Sequence, residues 1–271
     1  PGYIALIKVV KLFTGLNEYQ SMKYISIFST LIMTLLFFIT FFFQKNFLQF
    51  IWIPLVFFSQ FLFLAKLMTP DAITALLFLI SVMFLVKNKL YTSYLLMALT
   101  LSFRPDMIVA AGLAGLLPLI NKDFRMPIFN SIIFLSIYFL ISASISHNGW
   151  WSHFYTSLVS TQSNLNLFDP SFDLNKYFEI LIGNTLWVLN DINYIVWFSL
   201  TFIIIFMSAY FVLEKKSRWI NLIALSLSVA IIIKFIIFPK VDSRVYLAIL
   251  VPAIYAFSLN SLNLRERIDS K

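Results

Sequence analysis

Five charged residues stand at or near the ends of apolar segments in this sequence: Asp71, Arg104, Asp106, Lys234 and Arg244. A carboxylate at such a position can meet a metal ion, a hydroxyl group or a lipid headgroup. A guanidinium can hold a phosphate through two parallel hydrogen bonds. A lysine inside an apolar segment is costly and is usually paired or functional. These residue types therefore suit a site for a lipid-linked phosphate or diphosphate.

Both aspartates also have a purely structural interpretation. Thr69 can cap a helix that has Pro70 in its first position and Asp71 in its first turn. Asp106 also follows a proline, and Arg104 can simply pair with it. Spacing alone favours the helix start over a functional role for Asp71, and both interpretations stay open.

The three cations, too, have a structural interpretation, because long basic side chains at helix ends often extend to the membrane interface. Arg104 and Arg244 each lie at the end of an apolar segment, and Lys234 lies about one turn before the end of another. If the segment of Lys234 starts on the cytoplasmic side at Trp219, Lys234 joins the two arginines in one cationic outer zone.

The composition is typical of a membrane protein. Of the 271 residues, 61% are hydrophobic and 12% are charged, and the mean hydropathy is +0.89. A soluble domain has about 25% charged residues, so this chain could not cover a water-exposed surface. The net charge of +8 is spread between apolar runs, which favours positive loops over nucleic-acid binding. The sequence has no cysteine, which excludes disulfides and thiolate chemistry and leaves the redox compartment unreadable.

We predict an all-α fold, a polytopic transmembrane bundle of about nine spans with short interfacial helices on the outer face. A helix needs about 20 apolar residues to cross a bilayer core of roughly 30 Å. Some of the runs are shorter, so they must extend through flanking polar residues, lie inside the bundle or form a re-entrant pair. The predicted spans are Tyr24–Phe43, Phe47–Ala65, Ala72–Val86, Leu90–Phe103, Met107–Ile120, Pro127–Ser146, Ile192–Leu213, Trp219–Phe238 and Val245–Leu259.

The distribution of lysine and arginine sets the predicted orientation. One set of loops is rich in basic residues, whereas the other set is close to neutral. The basic set therefore faces the cytoplasm, which puts the N-terminus of the sequence outside and its C-terminus inside, in the inner membrane of a bacterium. The basic residues of the cytoplasmic set are Lys45, Lys87, Lys89, Lys122, Arg125, Lys215, Lys216, Arg218, Arg265, Arg267 and Lys271.

This orientation divides the chain into four parts. Residues 1–23 form an outer amphipathic segment, and residues 24–146 form the first part of the bundle. Residues 147–191 form an outer loop, and residues 192–271 form the second part of the bundle with a cytoplasmic tail. A connection as long as the outer loop is usually functional, so the outer face is the predicted location of the site.

The predicted outer loop combines aromatic rings, which can stack on sugars, with carboxylates, which can accept sugar hydroxyls. Aromatic residues also form belts at membrane interfaces, and this interpretation is favoured for Trp150 and Trp151. His147 and His153 have no third ligand beside them, so no metal site is assigned. The remaining candidates in the loop are Tyr155, Asp169, Asp173, Lys176 and Glu179.

Several segments resemble the GT-C glycosyltransferases, the integral-membrane enzymes related to protein O-mannosyltransferases and aminoarabinose transferases. Met68–Leu77 is similar to their TPDA-L-L region, and Leu101–Asp106 is similar to the outer turn that follows it. Pro1–Gly15 is similar to the amphipathic segment after their first outer loop. Asp242–Arg244, with Pro252 in the next span, resembles their late D-x-R-Y…P region.

The resemblance implies inverting transfer of a sugar from a polyprenyl-phosphate carrier to a lipid-linked or protein acceptor at the non-cytoplasmic face. An acidic base would deprotonate the acceptor hydroxyl, and cations would stabilise the departing phosphate. In the family this base lies in the first outer loop, and the resemblance implies that a first span and that loop precede Pro1. Asp71 is then a second acidic residue of the catalytic site, and Arg104 and Arg244 bind the carrier phosphate.

Asp106 and Lys234 complete the predicted substrate-binding set. No cofactor is assigned, and a divalent metal stays open. The expected partners are membrane lipid, the sugar donor and the acceptor, but not nucleic acid. The alternative is a transporter or flippase of lipid-linked sugars, which would need charges along a path through both leaflets. A non-catalytic subunit of a membrane complex is a third interpretation, in which Asp71 and Arg104 would be replaceable.

Overall fold

The computed structural model describes residues 2–42, 61–144, 149–159, 171–215, 217–240 and 243–269. All regular secondary structure in these ranges is helical, which confirms the predicted all-α fold class. Residues 61–66 form the helix α3. The other helices are α1 (Gly2–Thr14), α2 (Glu18–Phe42), α4 (Asp71–Val86), α5 (Leu90–Phe103), α6 (Ile108–Leu116), α7 (Arg125–Ser144), α8 (Gly149–Leu158), α9 (Leu174–Asn190), α10 (Ile192–Leu213), α11 (Arg218–Ile237) and α12 (Ser243–Asp269), with 3-10 turns at Pro105–Met107 and Leu117–Asn121.

The junction between α1 and α2 follows from three residues. Gly15 has a φ of +70°, a conformation that glycine adopts without steric cost. The side chain of Asn17 accepts a hydrogen bond from Gln20 N at 2.8 Å, and Asn17 N donates to Gln20 Oε1 at 3.2 Å. This reciprocal capping box starts α2 at Glu18. The predicted boundary after residue 23 therefore falls inside α2.

The turn between α4 and α5 makes these helices antiparallel neighbours. Asn88 has a φ of +57° and its N–H donates to Leu85 O at 3.0 Å, while Lys89 N donates to Phe84 O at 2.9 Å. Together these bonds form a Schellman motif, which satisfies carbonyl groups at the end of α4. The turn lies between the predicted spans Ala72–Val86 and Leu90–Phe103 and contains Lys87 and Lys89, two basic residues of the predicted cytoplasmic set.

The helix α12 lies at the centre of the bundle. Every residue from Tyr246 to Ala256 is buried, whereas a helix at the surface of a bundle buries one stripe only. α12 packs against α4, α10 and α11, and α4 packs in turn against α2 and α5. The rings of Phe37 and Phe41 in α2 contact the ring of Tyr255. The predicted span Val245–Leu259 is thus the core of the fold.

Three described helices are long and apolar enough to cross a membrane: Glu18–Phe41, Tyr194–Leu213 and Arg218–Ile237. They mark the chain as an integral membrane protein, but the nine predicted spans are not confirmed. The predicted span Phe47–Ala65 lies mostly outside the described residues. The shorter apolar helices are Asp71–Val86, Leu90–Phe103, Pro105–Asn121, Arg125–Ile137 and Tyr246–Leu259.

The predicted span Met107–Ile120 is a broken helix. Its α-helical part, α6, has nine residues, which corresponds to about 14 Å at the helical rise of 1.5 Å per residue. Pro118 has no N–H to donate, and from Leu117 to Asn121 the chain continues as a 3-10 helix. α6 by itself is therefore too short to cross a bilayer, and it packs between α7 and α11.

The bundle has two chemically different ends. Asp71 begins α4, Arg104 follows α5, and Lys234 lies in the last turn of α11. The end where these residues lie together is named the charged end. At the opposite end, Trp219 Nε1 donates to Leu85 O at 2.9 Å and joins the start of α11 to the end of α4. The Lys-Asn-Lys turn after α4 adjoins this opposite end.

Candidate charged site at one end of the bundle

Four of the five predicted site residues form one network of ion pairs at the charged end. Asp71 comes from α4, Lys234 comes from α11, and Arg104 and Asp106 come from the turn between α5 and α6. Among the described residues the network contains two carboxylates and two cations, so the formal charge of this part is zero. The fold thus brings together charges from three separate parts of the chain.

Arg104 is the central residue of the network. Its Nη1 donates to Asp71 Oδ1. On its other side it holds Asp106 through two bonds, from Nε to Oδ1 at 3.0 Å and from Nη2 to Oδ2 at 2.8 Å. This side-on contact uses the fork geometry that distinguishes arginine from lysine. The backbone of Arg104 is extended, with φ −140° and ψ +98°, as expected for a residue before proline.

Lys234 reaches the carboxylate of Asp106 from α11. Its Nζ lies 2.8 Å from Asp106 Oδ2, so Lys234 and Arg104 converge on one oxygen atom. Lys234 is only 4% exposed, and a buried ammonium group is stable only when it is paired. The side chain of Lys234 therefore does not extend to the membrane interface, which was the alternative suggested by the sequence.

Exposure increases across the network from Asp71 to Asp106. The side chains of Asp71, Lys234, Arg104 and Asp106 are 3%, 5%, 18% and 39% exposed. Asp106 is therefore the member that a ligand approaching the charged end meets first. Its carboxylate also contacts both cations of the network, Arg104 and Lys234.

Asp71 begins a helix, as predicted, but Thr69 does not cap it. Pro70 occupies the N-cap position of α4, and no side chain caps the backbone N–H groups of the first turn. Thr69 lies one residue too early, and its hydroxyl donates instead to Asp71 Oδ2 at 2.5 Å. Both oxygens of Asp71 are therefore occupied, one by Arg104 and the other by Thr69.

Arg244, the fifth predicted residue, lies in the first turn of α12. Its side chain lies outside the described part of the structure. The hydroxyl of Tyr246 in α12 donates to Lys240 O at 3.0 Å, just beyond the end of α11. Contact between Arg244 and the network stays a prediction.

The described part of the predicted outer loop is mostly helical, and it consists of α8 and α9. Asp173 caps α9, because its Oδ1 accepts hydrogen bonds from Asn175 N at 2.9 Å and Lys176 N at 3.1 Å. Within the described part of this connection, local capping therefore fixes the start of α9. His147, Asp169 and the side chains of Trp150 and His153 lie outside the described residues.

An aromatic cluster joins α8 to the charged end. Trp151 stacks on Phe154 with ring centroids 5.0 Å apart, and Phe154 contacts Tyr177 of α9 and Phe238 at the end of α11. Trp151 Nε1 also donates to Ser171 O at 2.9 Å. Trp151 is buried in this cluster, so it forms neither the predicted interface belt nor an open surface for sugar stacking.

Two polar contacts that the sequence did not predict fix α9 on the end of α11. The hydroxyl of Tyr177 donates to Ile236 O at 2.5 Å, and Asn184 Nδ2 donates to Pro239 O at 2.6 Å. Carbonyl groups at the end of a helix have no partner within it, which makes them suitable acceptors. Tyr177 and Asn184 are two helical turns apart on one face of α9, and this spacing is the signal that could have predicted the contact.

α1 packs against the charged end from another side. Gly2 lies against Ser102, since a Cβ at Gly2 would be 2.5 Å from Ser102 Oγ. Tyr3 belongs to a buried cluster against which Phe103 packs, directly before Arg104. The amphipathic segment and the charged network therefore share one end of the bundle.

The geometry of the network suits an anionic ligand better than a metal ion. The described residues contain no group of three metal-ligating side chains. The guanidinium of Arg104 lies between the carboxylates of Asp71 and Asp106, in the place where a bridging divalent cation would need both of them. A divalent metal, which the sequence left open, therefore gains no support from this arrangement.

No family model, curated protein or solved structure matches this chain. The resemblance to the GT-C glycosyltransferases therefore rests on the sequence segments that carry it.

Proposed function

We propose that this chain is part of a membrane glycosyltransferase that takes a sugar from a polyprenyl-phosphate carrier at the non-cytoplasmic face. The observation that carries the proposal is the ion-pair network. Asp71 and Arg104, which the resemblance assigns to the site, contact each other although they come from separate turns. Lys234 and Asp106 extend the same cluster. Two cations at the end of an apolar bundle suit the phosphate of a lipid whose tail lies in the membrane.

In this proposal Arg104 and Lys234 bind the carrier phosphate and stabilise the negative charge that it gains when the sugar leaves. Asp71 is the second acidic residue of the site and orients the guanidinium of Arg104. Arg244 supplies a third cation from the start of α12. By the resemblance, an acidic residue of the family's first outer loop takes the proton of the acceptor hydroxyl.

The proposed topology keeps about nine spans, the N-terminus of the sequence outside and its C-terminus in the cytoplasm of a bacterium. The shorter apolar helices would cross by including their polar flanks, and Pro105–Asn121 would do so with both of its 3-10 turns. The acceptor is lipid-linked or a protein. The gathering of α1, α9 and the network at one end supports a site at a single face.

A transporter or flippase of lipid-linked sugars is the alternative. A transporter needs polar groups along a path between the two leaflets. Among the described residues, the buried charged side chains are those of Asp71 and Lys234, and both lie at the charged end. This one-sided distribution favours an enzyme site over a transport path.

The test is sugar transfer by the full-length gene product in proteoliposomes. Short-chain prenyl-phosphate glucose, mannose and aminoarabinose serve as donors, a membrane extract supplies acceptors, and mass spectrometry follows release of the prenyl phosphate. We expect Arg104→Lys, which keeps the charge but loses the fork, to reduce release about 100-fold. Lys11→Ala removes an exposed cation that is paired with Glu18 outside the network and should retain wild-type activity.

Two results would count against the enzyme. One is wild-type release by a folded Arg104→Lys variant, which would remove the network from the site. The other is movement of the donor between leaflets without release of the prenyl phosphate, which would favour the transporter.

A further inference from the structure

We propose that Asp106 occupies the place of the ligand's phosphate in the empty molecule, and that the ligand binds by displacing this carboxylate from Arg104 and Lys234. The inference rests on the proposed role of the two cations in phosphate binding. It changes the role of Asp106, which was predicted from the sequence to bind the substrate. Asp106 becomes a built-in competitor of the ligand.

The first reason is that two cations converge on the same carboxylate. Arg104 Nη2 and Lys234 Nζ each lie 2.8 Å from Asp106 Oδ2, and Arg104 Nε lies 3.0 Å from Oδ1. Arginine binds carboxylates and phosphates through the same two-bond contact. A phosphate can therefore take over these contacts while both cations stay where they are.

The second reason is the unequal burial of the two carboxylates. The side chain of Asp71 is 3% exposed, and its oxygens accept hydrogen bonds from Arg104 and Thr69. The side chain of Asp106 is 39% exposed and belongs to a 3-10 turn of three residues. Rotation of Asp106 away from the network costs little burial, whereas rotation of Asp71 would break a buried pair. Asp106 is therefore the carboxylate that leaves.

The third reason is the charge of the network. Among the described side chains of the network, two carboxylates balance two cations. A phosphate added to these four groups would put an excess of negative charge into a site that is largely buried. Charges in such a site are tolerated only when they are paired. Displacement of Asp106 into water restores the pairing, because Asp71 stays on Arg104 while the phosphate contacts both Arg104 and Lys234.

The proposal predicts that removal of the Asp106 charge strengthens ligand binding. When a site is open for only a fraction of the time, the apparent affinity falls by that fraction. Occupation by Asp106 for about nine-tenths of the time would weaken binding about tenfold. Asp106→Asn should recover this factor, whereas Lys234→Met should weaken binding, because it removes a cation that contacts the phosphate.

The experiment measures calorimetric binding of inorganic pyrophosphate, and separately of a short-chain prenyl phosphate, to the purified chain. We expect Asp106→Asn to bind both probes about tenfold more tightly than wild type. Glu18→Gln is the matched control, because it removes a carboxylate that is paired with a lysine, Lys11, outside the network, and it should leave the affinity unchanged. Tighter binding of the prenyl phosphate than of pyrophosphate would identify a lipid as the source of the phosphate. Equal or weaker binding by Asp106→Asn, or no binding of either probe by any variant, would overturn the displacement.

A second variant keeps the test decisive if Asp106→Asn fails to fold. The sequence contains no cysteine, so Asp106→Cys introduces the one thiol of this chain. An anionic thiol reagent should modify it faster than a neutral reagent of similar size, because Arg104 and Lys234 attract the anion. Pyrophosphate should suppress this difference. Equal rates for the two reagents in the absence of pyrophosphate would contradict the proposal.

These measurements separate the displacement from the proposed enzyme activity. If Asp106→Asn tightens phosphate binding but no sugar is transferred, the displacement stands and the glycosyltransferase proposal fails. If sugar is transferred but Asp106→Asn does not bind phosphate more tightly, the displacement alone fails.

Discussion

The ammonium group of Lys234 lies 2.8 Å from Oδ2 of Asp106 and joins two parts of the charged end. Lys234 belongs to the last turn of α11, and Asp106 belongs to the turn before α6. The two helices pack against each other, and this ion pair fixes their relative position at one end. Stability and the proposed anion binding are therefore coupled here, because both depend on the same few contacts.

Loss of the Arg104 side chain should destabilise the protein. Asp71 is 2% exposed, and Arg104→Ala leaves its carboxylate buried without the guanidinium. Breaking a buried ion pair in this way costs about 3–5 kcal/mol. Thermal unfolding in detergent, followed by tryptophan fluorescence, should show a lower midpoint for Arg104→Ala. Addition of Asp71→Asn should restore part of the loss, and a double variant less stable than Arg104→Ala would contradict this explanation.

A side chain at position 115 should be poorly tolerated. A Cβ on Gly115 of α6 would lie 2.8 Å from Asn130 Cγ and overlap the amide nitrogen of Asn130, which is itself buried. We expect Gly115→Ala to cost about 1–3 kcal/mol through overpacking. Gly112→Ala lies in the same helix with no atom within 4 Å of the added Cβ, and it should be neutral or stabilising. Equal unfolding midpoints for the two variants would disprove the steric argument.

The bond from Trp219 to Leu85 should contribute to stability but not to anion binding. Trp219→Phe removes the hydrogen bond from Nε1 to the carbonyl oxygen, which should cost about 1 kcal/mol. Trp187→Phe is the control, because Trp187 is 47% exposed. Calorimetry should give the same pyrophosphate affinity for Trp219→Phe and wild type, since the bond lies at the end opposite the network. A loss of affinity without a loss of stability would place Trp219 in a role that the structure does not explain.

The attachment of α9 to the end of α11 should be visible by hydrogen exchange. Asn184→Ala removes the bond to Pro239 O, so amides of α9 should exchange faster, while those of α4 should not change. Thr185→Ala is the matched control, because the hydroxyl of Thr185 bonds within α9 to Leu181 O. Mass spectrometry of the two variants would show equal exchange in α9 if the contact between α9 and α11 were unimportant.

The gathering of charges at one end and the local pair of Arg104 with Asp106 could be predicted from the sequence, but the pairing of Asp71 and Lys234 with these two residues could not. Asp71, Arg104 and Lys234 each lie near the end of an apolar segment, and alternating spans bring such ends to one face. Whether Lys234 extends to the interface or turns to Asp106 depends on the packing of α11 beside α6. That contact joins distant parts of the chain, so local spacing contains no information about it.

Apolar composition also predicted where the helices occur better than it predicted how long they are or what surrounds their side chains. The run Met107–Ile120 is apolar throughout, yet α6 ends at Leu116, close to the proline that cannot continue its hydrogen bonds. Trp151 is suitable both for an interface belt and for an internal cluster, because both environments are apolar. Its actual cluster contains Phe154, three residues later in α8, and Phe238 at the end of α11. Only the tertiary structure brings Phe238 near.

The central position of α12 has a consequence for biosynthesis. This helix follows all the other described helices in the chain, so a ribosome delivers the middle of the bundle after the surrounding helices. Until then, α4, α10 and α11 have inward faces without their final neighbour, and exposed faces of this kind lead to misassembly. The nascent helices must therefore be sheltered by lipid or by insertion machinery while a slot stays open for α12. Defects in α12 should thus reduce the yield of assembled protein before they affect any property of the finished molecule.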